Sequence, residues 1–97
     1  MDDKSKKIII EKSKKIHDQI EEAYLNFKAN KGEAEWLEKQ RLLLADMSLH
    51  LLQTSISPKE IDLERLKDNM NAILTITDEF LPNVGLKEVT HKLYKYT

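Results

Sequence analysis

Between Leu42 and Leu52 the chain reads LLLADMSLHLL, with apolar side chains at eight of eleven positions. On a helix turning about 100° per residue, only a narrow stripe through Lys39, Asp46, His50 and Gln53 is polar, so most of the circumference needs covering. That cover must come from other segments of the chain or from a partner. The polar stripe reads as the strip this helix turns to water.

The same periodicity places three more helices around this one. The first is predicted over Lys4–Ala29, where Ile9, Ser13, Ile16, Ile20, Ala23 and Phe27 recur alternately four and three apart, a narrow coiled-coil-type seam interrupted by Ser13. Asn30, Lys31 and Gly32 tolerate a left-handed backbone and so end it. The central helix is predicted over residues 33–53, with Glu33 and Glu35 at its N-terminus, where the helix dipole favours negative charge. A third is predicted over 58–81. Ser57 is placed as its cap, Pro58 at the first helical position and Glu60 reaching back, with Ile56 and Ile61 as a hydrophobic staple.

Leu63, Leu66, Met70, Ile73, Thr77 and Phe80 continue the third helix until Pro82 forbids more. A short fourth helix is predicted over 86–96, through Leu86, Val89, Leu93 and Tyr96. Its residues would also suit a strand, but no second strand is visible to pair with it. Short loops make consecutive helices antiparallel neighbours. The expected fold is therefore all-α, an antiparallel up-down four-helix bundle with a short C-terminal fourth helix, forming a single helical domain over residues 1–97.

Composition narrows the functional classes. With 97 residues, 40% hydrophobic and 34% charged, the chain has room for one core and is neither disordered by composition nor membrane-like. No apolar run approaches the roughly 20 residues of a membrane crossing or forms the middle of a secretory signal, so a cytoplasmic protein is expected. The absence of cysteine removes disulfides, thiol catalysis and thiolate metal sites. The net charge of −1 hides an asymmetry, because residues 1–15 hold six lysines whereas 18–38 hold six acids against Lys28 and Lys31.

Chemistry-bearing patterns are few. Asp46 and His50 stand four apart on one helix face, a spacing that can ligate a metal or orient an imidazole. As part of the polar stripe they read first as a solvated face. Glu88 and His91 make a single Glu-x-x-His pair, where a dinuclear bundle site uses two. No phosphate loop, His-Glu-x-x-His, EF-hand or nucleophile elbow occurs. Neither an enzyme nor a bound cofactor or metal is expected, and no small-molecule substrate is indicated.

Lys4, Lys6, Lys7, Lys12, Lys14 and Lys15 could meet phosphates of a nucleic acid or an anionic membrane surface, although the acidic remainder of the chain opposes a polyanion. Binding of protein is the reading that remains, by a monomer or a homodimer. Trp36, Lys92, Tyr94, Lys95 and Tyr96 are its candidate contact residues, since these aromatics are least committed to the core and aromatics beside lysines suit an interface. A competing role is a secretion chaperone or regulatory adaptor that dimerises through the seam of the first helix.

The stretch LLADMSLHLLQTSISPKEIDLERLKDNMNAIL, residues 43–74, sets a leucine-rich helix, a short break and a second helix in succession. Together with the chain's size, its lack of cysteine and its basic, tyrosine-bearing tail, this layout resembles the small four-helix bacteriocin immunity proteins. The resemblance implies a protective protein that recognises a toxin–receptor complex at the membrane, with specificity in the C-terminal part, here residues 85–97. It transfers no individual residue, because no motif is matched.

Overall fold

The computed structural model describes residues 1–95 and consists of four helices, α1 (Asp3–Asn26), α2 (Trp36–Ser55), α3 (Leu63–Phe80) and α4 (Leu86–Lys95). The fold is the expected all-α four-helix bundle. Tyr96, assigned above to the fourth helix, lies outside the described residues.

Three boundaries differ from the sequence reading, each for a local reason. First, α1 stops at Asn26, and Phe27 is extended. The chain then alternates, with Phe27 half-buried, Lys28 exposed, Ala29 buried and Asn30 exposed, so it runs as extended backbone that tucks in its apolar members. Second, Gly32 carries the left-handed turn, at φ 96°, and hydrogen bonds from Glu33 N to Asn30 O and from Trp36 N to Glu33 O delay α2 until Trp36. Third, the box at Ser57 and Glu60 is not used. Asp62 caps α3 instead, its Oδ1 accepting from the backbone N–H groups of Glu64 and Arg65, both at 3.1 Å. Asp caps at least as well as Ser, and its charge also complements the helix dipole.

Pairings between helices fix their directions. Tyr24 meets Lys39, His17 meets Asp46, and Ser13 meets Gln53, so rising numbers on α1 oppose falling numbers on α2. Thr54 with Asn69 and Trp36 with Glu79 set α3 antiparallel to α2 in the same way. Among the described residues, α1 packs on α2, α2 on α3 and α3 on α4, and helices that are not consecutive make no close backbone approach.

The bundle is consequently opened into a slab measuring 44 × 36 × 15 Å. Its radius of gyration, 15.1 Å, exceeds the ~12.5 Å of a compact chain of this length. The α1–α2 seam is largely polar, as is the Thr54–Asn69 contact between α2 and α3, whereas α4 meets α3 through Leu63, Leu66, Met70 and Leu93. Ser13, Gln40, Asp46, Thr54 and Thr90 are buried, whereas Ala29 and Ile76 are the buried apolar residues among those described.

Several leucines and isoleucines are displaced to the flanks. Measured from the polar seam residues at 100° per residue, Ile16 of α1, Leu49 of α2, Leu66 and Ile73 of α3, and Val89 of α4 turn to the same side of the slab, while Leu25 and Leu43 lie on the other side beside His17. The coiled-coil seam of α1 therefore faces α2 at Ser13 and, about 20° from it, Ile20, with Ile16 at its edge. Ile16 is 45% exposed, while Ser13, the apparent defect in the seam, is the tightest contact at 2%.

The cap assignment has a direct test. Asp62→Ala should lower stability by about 1 kcal/mol and Ser57→Ala by no more than a few tenths, read from urea unfolding midpoints. The reverse order would return the cap to Ser57.

Candidate functional site

The α1–α2 seam brings His17, Asp46 and His50 together, one of the metal-competent groups among the described residues. α1 contributes His17 and Glu21, one turn apart, and α2 contributes Asp46 and His50, also one turn apart, so each pair shares a helix face. Ser13, one turn before His17, lets the two backbones approach closely. Its hydroxyl donates to the Ile10 carbonyl at 2.7 Å and accepts from Gln53 Nε2 at 3.0 Å. Beyond the histidines, the Lys39 ammonium lies 4.6 Å from the Tyr24 ring centre.

Asp46 stands at the centre of this seam. Its Oδ1 lies against His17 Nδ1 in a close hydrogen bond, and its Oδ2 is 3.4 Å from His50 Nε2. The other nitrogen of His17, Nε2, is 3.0 Å from Glu21 Oε2. The two imidazoles meet edge to face with ring centres 4.8 Å apart. Asp46 is 6% exposed, which overturns the expectation that the Lys39–Asp46–His50–Gln53 stripe faces water. It faces α1.

The hydrogen bond to Asp46 raises the His17 pKa above 6.5. Burial opposes this in part, and the charges of Asp46, Glu21 and Asp18 add to the rise. Ligand atoms of His17, Asp46 and His50 lie within 4.8 Å of one another, as do those of His17, Asp18 and Glu21. The first set joins two helices around a buried carboxylate. The second lies along one exposed turn. A hollow lined by His17, Glu21, Tyr24, Leu25, Leu43 and Asp46 opens the first set to solvent.

The sequence-predicted contact residues are not gathered in one place. Trp36, half-buried at the start of α2, donates its indole N–H to Glu79 Oε1 at 3.4 Å. Tyr94, on α4, donates its hydroxyl to Asp68 Oδ1 at 2.7 Å, and that bond, followed by burial and the charges of Asp68 and Glu64, raises its pKa. Asp68 and Glu79 are about 16 Å apart along α3, so Trp36 and Tyr94 sit towards opposite ends of the slab. Lys92 is exposed, Lys95 ends α4, and Tyr96 is outside the described residues. Glu88 and His91 are both exposed and belong to no metal-competent group among the described residues. The N-terminal lysines do not form a purely basic surface: Lys7 and Lys14 line a cleft with Lys59 and Arg65, but also with Asp3, Glu60 and Asp62.

Sequence reasoning found Asp46 and His50 as a pair but missed His17 and Glu21 as their counterparts. The signal was present in the turn. A helical hairpin folded at Lys31 and Gly32 sets residues at nearly equal distance from the turn opposite each other, which pairs position 17 with position 46 to within one residue.

The chain matches no protein-family model, and neither the curated proteins nor the solved structures contain a significant match, so the site is read from its chemistry. His17 is protonated more readily folded than unfolded. Its contribution to stability is therefore complete below the unfolded pKa near 6.5 and is lost as pH rises through the higher folded value. The stability advantage of the wild-type chain over His17→Gln, measured by urea unfolding in chelator, should be full below the unfolded pKa near 6.5 and shrink as pH rises above it. A constant or growing advantage would contradict the ion pair.

Proposed function

We propose that this chain is a non-catalytic protein-binding module whose interface is the apolar face of the slab and whose first partner is a second copy of itself. The observation that carries this reading is surface area. The chain exposes 7177 Å², against about 5800 Å² for a compact monomer of 11.4 kDa.

The excess is thus about 1400 Å² per chain, and two chains that cover it remove about 2800 Å² together, within the obligate-dimer range. The side chains involved are of the right kind. Ile16 and Val89 are 45% and 43% exposed, and apolar side chains gathered on one exposed face mark an interaction surface. The opposite face is mixed, with His17, Asp68 and Tyr94 beside the exposed Leu25. Two slabs joined through the apolar side leave both mixed faces outward.

Self-association of this kind supports the adaptor role, with the partner surface extending beyond α1 to all four helices. A protective role of the bacteriocin-immunity kind is a narrower version of protein recognition and is supported only by the resemblance in size, lack of cysteine, basic tail and the layout of residues 43–74.

Light scattering on the purified chain at micromolar concentration should give twice the 11.4 kDa protomer mass. Ile16→Lys and Val89→Lys, at half-exposed positions where a lone slab tolerates lysine, should give the protomer mass with helical circular dichroism retained. A wild-type chain that stays at the protomer mass across the concentration range would overturn the reading.

A further inference from the structure

We propose that His17, Asp46 and His50 bind one divalent transition-metal ion of the zinc and cobalt class across the α1–α2 seam. The donor set is two imidazole nitrogens and one carboxylate oxygen. Imidazole suits zinc, cobalt, nickel and copper, whereas magnesium and calcium take oxygen ligands.

Three features distinguish this cluster from a chance pairing. The ligands come from two helices and converge, with His17 Nδ1 and His50 Nε2 each facing a different oxygen of Asp46. Asp46 is buried, so its carboxylate is held in place by packing. Finally, His17 has the partner expected of a metal-bound imidazole. Its Nε2 is 3.0 Å from Glu21 Oε2, and a proton donated along that contact leaves the Nδ1 lone pair directed at the site. A carboxylate behind the ligating histidine in this way fixes its tautomer and orientation.

The ion takes the place of the proton shared by His17 and Asp46, and water entering from the hollow beside Tyr24 and Leu43 completes its coordination. It ties α1 to α2 where their contact is polar. A chain with few buried apolar groups gains from such a staple, because ions that bind the folded state alone stabilise it.

The test uses the full chain with Zn²⁺ or Co²⁺ alone. Titration calorimetry should show one ion per protomer, and Co²⁺ should develop visible ligand-field absorption. His50→Ala should lose more than the ~10–100-fold in affinity that outer-shell changes cost, Glu21→Gln should lose an amount within that range, and His91→Ala should bind as the wild type. In the wild-type chain, Co²⁺ should shift or broaden the ring protons of His17 and His50 and spare those of His91, a readout that needs no variant to fold.

Saturable binding that survives His50→Ala, ring signals of His17 and His50 that do not respond, or no binding at micromolar ion would each overturn the site. Such a failure leaves the dimer mass unaffected, and a monomeric mass leaves the metal titration intact.

Discussion

The first two helices of this protein hold each other largely through polar contacts, and that constraint decides where much of the rest goes. When Ser13, Asp46, Gln53 and Thr54 occupy the lines along which helices touch, leucines and isoleucines cannot occupy them too. Helical rotation then carries the apolar side chains to the flanks of each contact, and across four helices the flanks merge into a face. The slab, the exposed apolar area and the buried His–Asp–His group follow from this one allocation.

The polar seams are well supplied with partners. Thr54 Oγ1 is 3.0 Å from the His50 carbonyl and 2.6 Å from Asn69 Oδ1, while Ser13 and Gln53 satisfy one another. Glu79 is the exception, with its Oε2 buried and unpartnered beside the Trp36 contact. Net gains of about 1 kcal/mol per hydrogen bond specify register rather than supply a stable fold. Apolar burial at about 25 cal/mol per Å² would supply more, and it is what the lone slab has left unfinished.

Much of this was legible in the sequence, although not its most telling part. Four helices, their order, the stop before Pro82 and the turn near Gly32 follow from periodicity and backbone chemistry. The demand of Leu42–Leu52 for cover was also plain, with a partner as one possible source. What misled was the rule that a polar stripe on an apolar helix faces water. Asp46, His50 and Gln53 turn inward because α1 offers His17 and Ser13 at the matching height, a coincidence of register between two helices that no single-helix pattern contains. Asp62 displaced Ser57 for a related reason, since two good caps lay five residues apart and local rules do not rank them.

If the apolar face is completed by a second chain, folding and association are one process, and stability must depend on how much protein is present. The most direct measurement is the thermal midpoint across a hundredfold range of chain concentration in metal-free buffer. A midpoint that climbs steadily with concentration is the predicted result. One that stays fixed would mean that a single slab is complete in itself, and it would contradict the account.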